Sequence, residues 1–322
     1  MRLITRVLLL LAGALAAALA LPAQAQDYPV RPIHIIVPLT PGGIATVFSR
    51  YLADQMGQRW NQSVIVDYKP GAGGLLGMDM VSKSEPDGYT LGISSDSAAA
   101  YRLFVKGVTF DPRRDLTAVS MIVKSPYVLQ TPAQVPVHSM REFIDYVKAR
   151  PGKLNMGMVP NGNGQLGPIL FLKRAGLDMA LIPYNGGTPN LTALVANETQ
   201  LYFGNYGTSQ PYIKAGKLTA LAATSSERYF LAPDIPTLRE SGVDMVQYFW
   251  FGLAAPPKTP AAIVNKLAGA TAEIMKSPDA VEKMKAIGLE AVGSTAEELT
   301  RQVEQDSLAA EEAARLGGIT PK

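Results

Sequence analysis

Short runs rich in β-branched residues alternate along this chain with apolar patterns of helical period, and glycine or proline turns join them. That alternation restricts the chain to an α/β architecture. Parallel strands need a long return connection, and a helix lying on the sheet supplies it. Residues 33–37 read as a buried strand. Pro41-Gly42-Gly43 turns the chain, and Ile44, Phe48, Leu52 and Met56 then recur every four residues. This spacing predicts one apolar helix face, ended by Gly57. Residues 64–66 and 90–94 read as the next strands, with a helix carrying Leu76, Met80 and Val81 between them, after the turn Gly71-Ala72-Gly73-Gly74.

The pattern restarts after residue 125. Strands are expected over 127–131, 154–158, 181–184, 201–203 and 218–222. Ser139 with Glu142 reads as a capping box opening a helix to Arg150. Leu166, Ile169 and Leu170 mark another helix, and Gly186-Gly187-Thr188-Pro189 starts a further one. Thr259-Pro260 and Ser277-Pro278 read as N-cap and first helical residue, and Ser294 with Glu297 as a second capping box. A strand-rich passage over 247–254 precedes these last helices and offers a return path to the first unit. Two α/β units crossed twice by the chain make a hinge, and a hinge makes a ligand cleft.

The first 25 residues stand apart. Arg2 and Arg6 precede an apolar run over residues 7–21, and Ala23 and Ala25 form a small-residue cleavage site before Gln26. This is the order of a secretory signal peptide. The 15 apolar residues are too few to span a bilayer, and the separated arginines point to general secretion rather than twin-arginine export. Of 30 basic residues, Arg2 and Arg6 lie in the leader, so 28 face 27 acids in the rest. A chain this near neutrality has no field for nucleic acid or anionic lipid. Cysteine is absent, which removes disulfides, thiol catalysis, zinc-thiolate sites and lipid attachment. The expected location is therefore the periplasm.

Enzyme chemistry has little support. The two histidines, His34 in an apolar strand and His138 beside a helix cap, are isolated from each other. Neither G-x-S-x-G nor H-E-x-x-H occurs. Gly162-Asn163-Gly164-Gln165-Leu166-Gly167 matches G-x-G-x-x-G, but the next strand ends without the acid that binds a ribose. The nearest acids are Asp178 and Glu198. No cofactor and no metal is expected. What the glycine loops share is position: each joins a strand to a helix and presents N–H groups at the positive end of a helix dipole. Two such loops facing each other would hold a carboxylate without an arginine.

A series of motifs then carries a family resemblance. Tyr28-Pro29, Arg31-Pro32-Ile33 and Val37-Pro38-Leu39-Thr40-Pro41-Gly42-Gly43 open it. Lys69-Pro70-Gly71-Ala72-Gly73-Gly74, Pro86-Asp87-Gly88-Tyr89-Thr90-Leu91 and Pro151-Gly152-Lys153-Leu154-Asn155 follow. Pro183-Tyr184-Asn185-Gly186, Pro233-Asp234-Ile235-Pro236-Thr237 and Trp250-Phe251-Gly252-Leu253 continue it in order. The chain resembles the solute receptors of tripartite tricarboxylate transporters, the Bordetella uptake gene family. The resemblance implies a type II periplasmic binding fold of two α/β lobes with a central cleft and two-strand hinge. Residues 26–124 with 250–322 would form lobe 1, and 125–249 lobe 2. It also implies a monomer that closes on a small carboxylate, aliphatic or aromatic, and delivers it to a tripartite tricarboxylate-type permease.

The matching loops are Pro41, Gly42, Gly43, Ile44, Ala45 and Thr46 in the first lobe and Asn161, Gly162, Asn163, Gly164 and Gln165 in the second. Ser94, Ser95, Tyr184 and Asn205 complete the candidate ligand shell. Tyr202, Phe203, Tyr206 and Trp250 offer rings for an aromatic ligand, or core and hinge packing. The chain departs from the family pattern at Thr46 and Gly204, where aspartates are usual, at Gln165, where a histidine is usual nearby, and at Asn185, where lysine is common. Two other roles remain open beside transport: a ligand-loaded partner of a membrane sensor, and a secreted enzyme on the same fold.

Overall fold

A computed structural model describes residues 28–104, 106–160 and 162–320. The signal peptide read in residues 1–25 lies outside them. Strands β1 (Ile33–Val37), β2 (Val64–Tyr68) and β3 (Thr90–Ser95) pair in parallel through the crossover helices α1 (Gly43–Trp60) and α2 (Leu75–Ser82). Strand alternation sends Ile33, Ile35 and Val37 under Phe48, Leu52 and Met56 of α1, and Ile36 to the opposite face against Met78 and Val81 of α2. Each fully buried leucine or phenylalanine here contributes about 1.5–3 kcal/mol. Helix α1 runs past the expected stop. Gly57 stays helical and Asn61 ends the helix in the left-handed region at φ 50°. Glycine at 57 instead makes room for Gln62 O, 3.1 Å from where a Cβ would lie.

The first sheet is completed by β4 (Thr117–Pro126), β10 (Tyr248–Ala255) and β11 (Glu290–Ala291), in the order β11-β4-β10-β3-β1-β2. Strand β4 is not among those the sequence reading picks out. Its Ser120 and Ser125 look like surface residues but are fully buried, and the Ser120 hydroxyl donates to Ser294 O at 2.7 Å. The second sheet contains β5 (Val128–Pro132), β6 (Asn155–Met158), β7 (Ala180–Pro183), β8 (Leu201–Gly204) and β9 (Leu218–Ala223), in the order β7-β6-β8-β5-β9. Helices α3 (Met140–Lys148), α4 (Asn163–Ala175), α5 (Gly187–Val195) and α6 (Tyr206–Lys214) belong to this half. Phe143, Val147, Phe171, Leu201 and Leu221 fill its core.

The two sheets share one plan. In each, three parallel strands are followed by an antiparallel strand delivered from the other half. That strand is β10 in the first sheet and β5 in the second. Only Tyr127 separates β4 from β5. Thr224 clasps the two crossings: its Oγ1 accepts from Tyr127 N at 2.9 Å, its N–H donates to Tyr127 O at 2.9 Å, and its carbonyl accepts from Gln247 N at 2.8 Å.

Helices α7 (Ala261–Met275), α8 (Pro278–Ala286) and α9 (Ala296–Gly317) close the chain, with α9 packed on both β4 and α4. No described helix is long and apolar enough to cross a membrane. Ser277 caps α8 as expected. Ser139 accepts from Glu142 N at 3.2 Å, while the Glu142 carboxylate reaches His138 N at 2.7 Å. Two caps are displaced by one residue. Helix α7 starts at Ala261 after Pro260, and the Thr259 hydroxyl donates to Pro256 O. The box on α9 is Thr295 with Glu298, whereas Ser294 Oγ accepts from the β4 amide Met121 N at 2.8 Å. Thr295→Ala should therefore cost about 1 kcal/mol, the loss of a cap. Ser294→Ala should cost about 1–3 kcal/mol, because it orphans a buried amide. Urea unfolding of the two variants measures the difference.

Candidate functional site

The C-terminal ends of β1, β3, β6 and β8 face each other across a cavity of about 540 Å³. Open α/β sheets bind ligands beyond these strand ends, because the loops and helix starts converge there. Leu39, Ile44, Gly74 and Ser95 line the first-lobe wall; Gly162, Gly164, Tyr184, Asn185 and Asn205 line the second. Its floor is aromatic and comes from the crossings. Tyr127 lies 5.2 Å from Phe249 and 6.1 Å from Phe203, and Phe249 lies 6.4 Å from Phe251.

Three helices with glycine N-caps begin at this cavity, and their starts differ from those of α3, α8 and α9. The N-caps Gly42 of α1, Gly162 of α4 and Gly186 of α5 supply no side-chain cap, and no first turn carries an acid. Away from the cavity, α3, α8 and α9 are capped by Ser139, Ser277 and Thr295 and carry acids in their first turns. The first amides of a helix lack intrahelical partners, and the dipole adds positive potential there. At the cavity no side-chain cap from the N-cap residue and no first-turn acid offsets them. Gly42 and Gly186 share one backbone shape, φ 103° with ψ 171° and φ 112° with ψ 174°, which a side chain would strain. Some donors are spent locally: the Gly42 amide on Thr46 Oγ1 and the Gly186 amide on Tyr184 O, both at 2.8 Å, and the Gln165 amide on Gly162 O at 2.9 Å. Asn205 Oδ1 caps α6 through Thr208 N, leaving its buried Nδ2 without a partner among the described residues.

No lysine, arginine or histidine lines the cavity among the described residues, and Asp96 is its one carboxylate. The chain places Asp96 just after β3, 4% exposed. Its Oδ2 accepts from Asn163 Nδ2 at 3.1 Å, and from Tyr127 OH at 3.3 Å. One carboxyl thus joins the first lobe, a crossing and the second lobe. Beside it Gly162 packs so closely that a Cβ would lie 2.7 Å from Ser97 Oγ.

The structure distributes the sequence-derived candidates unevenly. Ile44, Ser95, Gly162, Gly164, Tyr184 and Asn205 line the cavity. Pro41, Gly42, Gly43 and Thr46 form the entry to α1 without lining it, and half-buried Gln165 stands likewise off the wall. Ala45 turns into the core at 4% exposure. Strand alternation sends Ser94 to the opposite face of the sheet, beside Trp250 and Leu299. Asn163 faces Asp96, and Asn161 lies outside the described residues.

Of the named aromatics, Tyr202 and Phe203 line the cavity, while Tyr206 packs on Tyr229 and Trp250 lies buried with its Nε1 donating to Asp306. Asp96, Tyr127, Phe249 and Phe251 were missed. Period two along β10 was the available signal, since it separates Phe249 and Phe251 from Trp250. At Gly204 an aspartate has no space: a Cβ would lie 2.8 Å from Gln130 Nε2 and 2.8 Å from Tyr202 Cε1.

Burial pushes the Asp96 carboxyl up to about 7, aided by the Asp306 carboxylate and opposed by the Asn163 and Tyr127 hydrogen bonds. Burial likewise pushes Asp306 up to about 6, against the bonds from Trp250 and Gln302. Both acids hold protons more tightly folded than unfolded. Their contribution to stability is full below the ordinary carboxylate range and is lost as pH rises through about 6 to 7. The melting temperature of the unliganded protein should therefore fall between about pH 5 and pH 8 through these groups. Asp306→Asn should flatten that fall, as read by calorimetry across the range.

Comparison with known proteins places this geometry in a family. The sequence profile of the Tripartite tricarboxylate transporter family receptor matches residues 48–318. Protein BugT of Bordetella pertussis is 35% identical over 283 residues, covering 87% of this chain and 87% of BugT. An R. palustris protein solved with adipate has a TM-score of 0.83 and 31% identity, covering 92% of this chain and 100% of that one. MatC from Rhodopseudomonas palustris, with bound malate, has a TM-score of 0.78 and 28% identity, covering 89% and 100%. Profile, relatives and the two-lobed periplasmic-binding fold agree: this chain belongs to the tripartite tricarboxylate transporter receptor family.

Proposed function

We propose that the protein is a periplasmic receptor that captures a small carboxylate between its lobes and hands it, chemically unchanged, to a tripartite tricarboxylate-type permease. The observation that carries this reading is the convergence of three uncapped, acid-free helix starts on a cavity without a basic side chain. Amide donors and helix dipoles then do the work of an arginine. A charge-assisted hydrogen bond contributes about 1.5–3 kcal/mol, so a few suffice for a micromolar complex of about −8 kcal/mol. The aromatic floor suits a hydrocarbon spacer or ring between polar ends. The related structures hold adipate and malate, both carboxylates.

In this reading residues 1–25 direct export, and the mature chain acts as a monomer. Residues 26–124 with 250–322 move as one body and 125–249 as the other, about Tyr127 and the start of β10. Closure brings the loops at Ile44 and at Gly162 to Gly164 onto the ligand, with Ser95, Tyr184 and Asn205 beside them. The closed form is the one a permease recognises.

A thermal-shift screen with adipate, malate and benzoate tests the ligand class. At a hundred times its dissociation constant a ligand adds about 2.7 kcal/mol of stability. Stabilisation should vanish for the matching amides; stabilisation by amides or sugars instead would overturn the reading. Closure has its own test. Gly162→Ala drives a methyl into Ser97 and should weaken binding of the best carboxylate about tenfold. Ser97→Gly in the same chain should restore it, as a titration of the double variant reads.

A further inference from the structure

We propose that the receptor takes up its carboxylate together with one proton, which it holds on Asp96 at the inner wall of the cleft. The inference rests on the carboxylate reading above and adds a regulation to the same site. Asp96 is the one acid lining the cavity among the described residues, and it has no cationic partner. Its hydrogen bonds come from neutral groups: the Asn163 amide of α4, the Tyr127 hydroxyl of the crossing and the Ser97 backbone.

The elements packed around it leave its charge uncompensated. Helix α9 presents Asp306, a second carboxylate, and the one-turn helix after Asp96 presents Tyr101. Strand β10 contributes Phe249 and Phe251 to the cavity and Trp250, whose Nε1–H is committed to Asp306. The cation nearest to it in sequence, Arg102, is bound by Asp111 and Glu311. Helix α4 brings only the neutral Asn163. A ligand carboxylate entering this cavity therefore meets like charge with no side-chain cation to balance it.

The consequence follows from linkage. In a poorly solvated site two carboxylates a few ångströms apart repel strongly. The ligand then raises the proton affinity of Asp96, and by reciprocity the protonated receptor binds the ligand more tightly. Asp96 already titrates near neutrality, pushed up to about 7 by burial. Below that pH the proton is in place before the ligand arrives, and affinity is highest. Above it each complex must draw a proton from solvent, and affinity falls by up to about tenfold per pH unit. An open cleft at lower pH fills; the same cleft releases its ligand as pH rises. The bound pair of anion and proton also carries one negative charge fewer than the anion alone.

Titration calorimetry with adipate and with malate tests this on the mature chain, between about pH 6 and pH 9, in two buffers of different ionisation heat that count protons. The native protein should take up close to one proton per ligand at about pH 8 and lose about tenfold in affinity by pH 9. Asp96→Asn should bind with no proton uptake and with a flat pH profile. Asp306→Asn, which removes the second carboxylate from outside the cleft, should move the fall in affinity to lower pH. Normal binding with a flat profile and no proton exchange in the native protein overturns the proposal alone. A native-like pH profile in Asp96→Asn overturns it as well. Failure of both probes to bind at any pH overturns the carboxylate reading together with it.

Discussion

Strand β10 lies antiparallel between β3 and β4, arriving from the other half of the chain, and much of what defines the cleft hangs on its alternation. Phe249 and Phe251 point into the cavity, while Trp250 points away and holds Asp306. Strand β5 makes the reciprocal crossing, and Thr224 ties both crossings with backbone and hydroxyl bonds. Each crossing thus delivers the strand that continues the sheet it enters, while each core is filled by residues of its own half. Among the described residues the chain crosses between the two sheets twice near the cleft floor.

The chemistry of the cleft is a balance between two designs of opposite sign. Helix starts that would normally be capped by serine or threonine and flanked by acids are left bare at Gly42, Gly162 and Gly186. That favours an anion. Asp96 and Asp306, buried behind them, oppose it when ionised. The hydrogen bonds from Asn163 and Tyr127 hold Asp96 in place across the lobes without neutralising it. In the proposed capture, selectivity would come from where the donors stop and from the space between the aromatic floor and the two loops.

Most of the alternating strands and helices were legible, because buried parallel strands and amphipathic helices write their period directly into residues such as Ile33, Phe48, Leu52 and Phe171. The exceptions share a cause. Strand β4 carries serines that are satisfied by distant carbonyls and a tyrosine, and Ser294 resembles a cap but serves β4 from 173 residues away. The glycine loops of the site were legible as helix starts. Which of their residues face the cavity was not, since Ala45 and Ser94 differ from Ile44 and Ser95 only by one step of helix or strand rotation.

The sequence by itself determined the α/β alternation, the near-neutral charge, the absence of thiols and the family, because these are local patterns or ordered motifs that need no distant partner. Tertiary structure alone decided the cavity. Asp96 becomes a cleft acid only when β3 delivers it beside Asn163, 67 residues on, and Tyr127, 31 residues on. Its raised proton affinity depends further on Asp306 in the last helix. Burial and electrostatic environment are properties of what the fold brings near, and no window of neighbouring residues contains them.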